Sequence, residues 1–177
     1  MTIDNDLAAN SLGVVVRPAK EVEYDAIAEV SVESYRLAGQ LDGDSSFYEK
    51  HLRDVAGHVD HASVLVALDP HSHEVLGSVT VVEHGSELSE IAQIDELEFR
   101  MLAVSPKAQG RGVGRALVDA CIAFGRERGL TQIAIFVRSD VAAGALALYD
   151  RLGFERMPDR DWWPTPSIVL HALRYPL

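Results

Sequence analysis

The stretch LEFRMLAVSPKAQGRGVG, residues 97–114, passes from an apolar strand pattern through a glycine-spaced loop directly into a helical pattern. The break falls at Ser105-Pro106. Gly110, Gly112 and Gly114 take away side chains where the backbone turns, so successive N–H groups can converge on an anion at the positive end of the helix that follows. Residues 105–118 also hold Lys107, Arg111 and Arg115 and no acid. Such a loop can hold a diphosphate without a metal ion. Two other phosphate loops do not fit. A nucleotide-hydrolysing P-loop needs Gly-Lys-Ser/Thr, and Gly112-Val113-Gly114-Arg115 supplies neither ammonium nor hydroxyl. A dinucleotide fingerprint needs a third glycine three residues after the second, where this chain has Arg115.

What remains is Gln109-x-x-Gly112-x-Gly114 behind a strand, followed later by ALALYDRLGF at residues 145–154. This pairing resembles the GNAT superfamily of acyl-CoA-dependent N-acyltransferases, whose phosphate loop reads Gln/Arg-x-x-Gly-x-Gly/Ala and whose later helix ends in Leu-Tyr-x-x-x-Gly-Phe. The resemblance covers residues 97–154 by motif and the remainder by element order. It implies one α/β (α+β) domain with a central mixed, mostly antiparallel twisted sheet of about seven strands flanked by about four helices. It also implies acetyl-CoA as cofactor and direct attack by a primary amine in a ternary complex. The backbone of Leu102, Ala103 and Val104 would grip the pantetheine amides, with an N–H near Leu102 polarising the thioester carbonyl. Gln109, Gly110, Arg111, Gly112, Val113, Gly114 and Arg115 would surround the diphosphate.

Acyl transfer to an amine makes two proton demands. An alkyl ammonium, with a pKa of about 10.4 for lysine, must lose a proton before it attacks. The family commonly places a Glu on the strand before the loop, and Glu98 stands there; Glu96 has the same strand parity and can share the work directly or through water. The leaving thiolate is quenched by a nearby donor of similar pKa, and Tyr149 matches the tyrosine that fills this role in the family. Each has a plain alternative: an exposed strand carboxylate, or a core tyrosine with its hydroxyl at the rim. One position departs from the pattern. Many members carry an Asn seven residues before the tyrosine, and this chain has Ala142, with Ser139 and Asp140 just before it. A non-catalytic acyl-CoA-binding module is therefore an alternative of another class, and acyl groups longer than acetyl are a further one.

Composition bounds these readings. At 177 residues, with 47% hydrophobic residues, the chain suits one globular domain. A net charge of −11 disfavours nucleic acid and suits a cationic partner. Residues 83–99 carry six carboxylates and no Lys or Arg. Cys121, the single cysteine, falls among apolar helical positions and reads as an inert buried thiol. The first residues lack the basic, apolar pattern of a leader, and no stretch approaches the roughly 20 apolar residues of a membrane span, so a soluble cytoplasmic protein with a flexible tail over residues 1–12 is expected. The histidines at 58 and 61 and at 71 and 73 lack companion ligands and are expected on surface loops, so no metal is expected.

Periodicity predicts strands over residues 14–17, 63–68, 75–82, 97–104, 131–137, 154–157 and 168–175, and helices over 22–35, 47–56, 113–128 and 142–152. The acceptor is expected between residues 35–48 and 159–164, as is usual in the family. Tyr35, Glu96, Trp162 and Trp163 are substrate candidates, and Asp42, Asp44, Asp159 and Asp161 can hold a cation. Paired tryptophans equally serve as cover for a sheet edge. A small cationic amine is the first expectation, with a protein N-terminus or lysine as the alternative. A homodimer through the C-terminal strands is common in the family.

Overall fold

The computed structural model describes residues 13–41 and 46–177; Asp42 and Asp44, and the tail over residues 1–12, lie outside the described residues. Eight strands form one sheet in the order β1-β2-β3-β4-β5-β8-β6, with β7 pairing β8. They are β1 (Val15–Pro18), β2 (Ser63–Leu68), β3 (Val75–Glu83), β4 (Glu96–Val104), β5 (Gln132–Arg138), β6 (Glu155–Arg156), β7 (Trp162–Thr165) and β8 (Ile168–Pro176). Only β4 and β5 run parallel; every other pair is antiparallel. Five α-helices accompany them: α1 (Tyr24–Leu37), α2 (Ser46–Arg53), α3 (Val55–His61), α4 (Val113–Glu127) and α5 (Ala143–Leu152).

The central strands are apolar without alternation because both faces of the sheet are covered. On one face α4 presents Val113, Ala116, Leu117, Cys121 and Ile122 to Leu65, Val79, Val81, Leu97 and Phe99, and Tyr149 of α5 joins them. On the other, Ile27 and Ala28 of α1 and Val55 of α3 pack against Val64, Val66 and Val75. Where α2 meets the sheet, Val32, Leu52 and Met101 form a third cluster.

Two departures from the expected element list have local causes. The helix expected over residues 47–56 is two helices, because Asp54 leaves the helical conformation and its carboxylate accepts the Gly57 N–H at 3.1 Å, starting α3. The eighth strand, β7, falls where no strand is expected, at the end of the 159–164 segment between the last strands; it pairs with β8 alone, and Pro is tolerated on such an edge.

Candidate active site

The parallel pairing of β4 with β5 stops at Glu98 opposite Ala134. Beyond that point β5 continues beside β8 to Arg138, while β4 diverges. The divergence begins at a bulge: Met101 has φ 52°, and the β3–β4 register slips between Ser78 and Thr80. Gly77 lets β3 pass the bulge, since a Cβ there would lie 2.6 Å from the Ala103 carbonyl oxygen. Main-chain groups of β4 past Glu98 are thus outside the β5 ladder. They border a cleft of 1180 Å³ whose lining includes Leu102, Val104, the glycine loop at Gln109, Gly110 and Gly112, the starts of α4 and α5, and Tyr35 of α1. Ala103, expected beside its neighbours, is buried against the core and does not line this cleft.

At one end the cleft meets the glycine loop. Gly110 and Gly112 have φ 76° and 79°, left-handed values that favour glycine, and Gly112 caps α4. Its carbonyl accepts the Ala116 N–H at 2.9 Å, so the helix begins there. Val113, Gly114 and Arg115, whose N–H groups have no acceptor inside a helix, line the cleft together with Gln109. The reason for Gly114 differs from the sequence expectation. It lies within α4, not in the turn, and a Cβ there would sit 3.1 Å from Leu148 Cδ2, so its small size sets the approach of α4 to α5. The arginines differ as well. Arg111 turns from the cleft to Asp69 at 3.1 Å, and Arg115, though it lines the cleft, pairs with Asp119 at 3.3 Å. Of these two arginines only Arg115 reaches the cleft, beside the helix N–H groups.

Tyr149 is the buried residue of α5, its ring 5.8 Å from Phe99 and 5.3 Å from Phe154. Burial, then the nearby Cys121, push its pKa well above the ordinary phenol value, so it does not match a thiolate in pKa as the sequence reading expected. It stays protonated across the neutral range, and it does not itself line the cleft. Cys121 itself is fully buried and its thiol is pushed up by that burial, in keeping with an inert role.

Glu98 and Glu96 share a face of β4 and have different surroundings. Glu98 is 1% exposed. Its Oε2 accepts the N–H groups of Glu90, Ile91 and Ala92 at 2.9, 3.1 and 3.3 Å and the Ser89 hydroxyl at 3.2 Å. Its Oε1 lies 3.8 Å from Arg100 Nε. Glu96 is committed to structure. Arg160 grips both of its oxygens at 3.0 and 2.9 Å, the Gln93 N–H donates at 2.9 Å, and the Gln132 amide donates as well. Burial raises its pKa, but Arg160, Gln93 and Gln132 outweigh it and leave the carboxyl below its ordinary value. Neither Glu96 nor Glu98 lines the cleft or the cavity described next.

Tyr35 lines the large cleft, its ring 5.8 Å from that of Tyr48. Burial and the phenols of Tyr48 and Tyr149 hold its pKa well above the ordinary value. A second cavity of 460 Å³ is lined by Glu90, Ile91, Gln93, Phe136, Arg160, Trp162, Asp159 and Asp161. Trp162 is 43% exposed and its ring stands 5.9 Å from Phe136; Trp163, 59% exposed, lines neither space. Asp161 is tied to Arg156 at 2.7 Å and to the Ala172 N–H, whereas Asp159 is exposed. Sequence reasoning missed Arg100, which donates to the Leu88 carbonyl at 2.6 Å and to Glu90 at 2.8 Å and so braces the loop that holds Glu98. Its place two residues after Glu98 on the same strand was the available signal. Ala142 lines the cleft at the start of α5 and offers no side-chain hydrogen bond.

Among the described residues no group of three or more His, Cys, Asp or Glu side chains is arranged for a metal ion, and no helix is long and apolar enough to cross a membrane. The histidines are not all on surface loops. His58 and His61 belong to α3, and His58 is buried.

Residues 24–154 match the family model described as the acetyltransferase (GNAT) family. Over 59 residues the chain is 49% identical to a mycothiol acetyltransferase from Rhodococcus opacus, a match covering 33% of this chain and 19% of that protein. The chain thus spans about a fifth of the length of such curated relatives. A GCN5-related N-acetyltransferase from Kribbella flavida superposes with a TM-score of 0.68 at 25% identity, covering 93% of this chain and 98% of that one. The PaiA N-acetyltransferase from Thermoplasma acidophilum, solved in complex with coenzyme A, shares the fold with a TM-score of 0.69 at 13% identity, covering 92% and 99%.

Proposed function

Since the chain belongs to the acetyltransferase (GNAT) family, we propose that it moves an acetyl group from acetyl-CoA directly to a primary amine of a small cationic acceptor. The observation that carries this reading is the parting of β4 from β5 beside a helix capped by left-handed Gly112, which sets free strand backbone and helix N–H groups along one cleft. That cradle fits the extended diamide and diphosphate of the coenzyme. Leu102 and Val104 would bond the amides, and Gln109 to Arg115 the diphosphate. Acetyl-CoA supplies a thioester activated towards amines.

The remaining chemistry belongs to side chains. Glu98 Oε2 is held by its four donors, so Oε1 is the oxygen that takes up the ammonium proton, through water, before attack. The N–H near Leu102 donates to the carbonyl oxygen as charge builds on it. Tyr149 donates to the sulfur as it leaves. The acceptor's positive charge is matched at the second cavity by exposed Asp159, since Glu90 and Asp161 there are already paired with Arg100 and Arg156, and its apolar part by Trp162 and Phe136. The Glu90 and Ile91 N–H groups also hold Glu98, which links that cavity to the base.

Thiol release from acetyl-CoA, measured against polyamines, aminoglycosides, amino acids and short peptides, tests the reading. Turnover with a cationic amine that falls in both Tyr149→Phe and Glu98→Gln supports it. Turnover unchanged in both variants removes the two roles. Coenzyme binding without turnover of any amine favours the binding-module reading, to which Ala142 at the cleft lends support.

A further inference from the structure

A polar cluster lies buried on the α1 and α3 face of the sheet, behind the β4 bulge. His58 of α3 is 4% exposed, and its Nε2 has no hydrogen-bond partner among the described residues. It borders a small cavity of 10 Å³ together with Ser31 of α1, Ser78 and Thr80 of β3, and Met101 of β4, the rest of the lining being apolar. The Ser31 and Ser78 hydroxyl oxygens are 3.4 Å apart. Ser78 and Thr80 are the residues between which the β3–β4 register slips, and Met101 carries the left-handed φ of the bulge. Ser78 and Thr80 thus flank the irregularity that turns β4 out of the sheet, with Ser31 against Ser78 and His58 on the same cavity.

A buried polar atom with no partner forfeits about 1–3 kcal/mol, and a space of roughly 10–15 Å³ with two to four polar neighbours suits a single water. We propose that the cavity binds one water molecule bridging His58 Nε2 to the hydroxyls of Ser31, Ser78 and Thr80, and that His58 is thereby a positioning residue for the bulged β4 backbone. The second half of this inference rests on the reading that the coenzyme lies along Leu102 and Val104. Charge is scarce around the site. His51 of α2 packs edge-on at 4.8 Å and is itself 5.8 Å from the Tyr48 ring, and the charges that act on His58 are Asp54 at the α3 N-cap and Arg100 of β4. Val64 of β2, with Ser31, Ser78 and Thr80, contributes no charge. Burial first, then His51, push the imidazole pKa down to about 4 despite Asp54, so the ring that meets the water is neutral at pH 7.

The experiment pairs a crystal structure that resolves ordered water with kinetics of His58→Leu and His58→Gln. Expected are one water within hydrogen-bond distance of His58 Nε2 and a KM for acetyl-CoA raised about tenfold in His58→Leu with kcat little changed, the pattern of a misplaced binding backbone. His58→Gln, which retains a polar tip, restores most of that loss. Wild-type KM rises as pH falls below 5 towards 4, where the folded imidazole takes up its proton, and the rise is smaller in His58→Leu. A dry cavity overturns the water site. A folded His58→Leu with the wild-type KM and pH profile overturns the positioning role. Failure of the wild type to bind acetyl-CoA would instead defeat the coenzyme reading, and the crystal structure would still decide the water site.

Discussion

At the scale of single residues, Tyr149 and Glu98 carry separable predictions. Tyr149→Phe removes the proposed donor to the leaving sulfur and keeps the ring contacts with Phe99 and Phe154. It should lower kcat about 10²-fold while the KM for acetyl-CoA stays within about twofold, as expected for a group used in the transition state. Since burial holds the Tyr149 phenol above its ordinary pKa, no falling limb from its ionisation should interrupt the pH–rate profile below about pH 10. A falling limb near pH 9 that vanishes in Tyr149→Phe would contradict this. Glu96 is a different case. Glu96→Gln leaves Arg160, at 20% side-chain exposure, without its partner and should lower stability by about 3 kcal/mol in urea titrations.

The elements set the cleft by what they omit. Gly112→Val forces a branched side chain into φ 79°, which should weaken the α4 cap and raise the KM for acetyl-CoA with little change in acceptor KM. Gly114→Leu acts by another route, driving a side chain into Leu148 where a Cβ would already be 3.1 Å away. It should separate α4 from α5, displace Tyr149 and reduce kcat together with stability. Calorimetric titration of coenzyme A alongside steady-state kinetics distinguishes the two: Gly112→Val loses affinity first, Gly114→Leu loses turnover first.

Acid stability belongs to the whole molecule. His58 has a folded pKa of about 4 against 6.5 for the ordinary imidazole, so the unfolded chain binds more protons between those values. Its contribution is fully present above pH 6.5 and is lost as pH falls towards 4, amounting to about 3 kcal/mol. The depressed carboxylates act lower down. Glu96, Asp161 and Asp69 stabilise above the ordinary carboxyl range and lose that contribution as pH falls through their folded values, which for Asp69, bonded by the His71 and Ser72 N–H groups and Arg111, is about 2. The thermal midpoint should therefore begin to fall below pH 6.5 and fall more steeply below about 4.5. In His58→Leu the first decline should flatten and the second remain; differential scanning calorimetry across pH reads both.

Much was legible in the chain because short segments carry it. The glycine spacing, the apolar run before it and the Leu-Tyr-x-x-x-Gly-Phe ending specify a strand, a glycine loop and two helices through local backbone sterics and periodicity, and those suffice for the family. Asp54 divided a helix and Trp162–Thr165 formed a strand for reasons of capping and edge pairing that a periodicity reading passes over. Only the tertiary structure decided the fate of charges. Glu96 and Glu98 are equivalent on β4 by parity, yet Arg160, distant in sequence, closes over one while the loop residues Ser89 to Ala92 hold the other. Arg111 goes to Asp69, and His58 is enclosed against three hydroxyls from α1 and β3. A side chain's partners, burial and proton affinity are set by what the fold brings to it from far along the chain, and no local pattern encodes those distances.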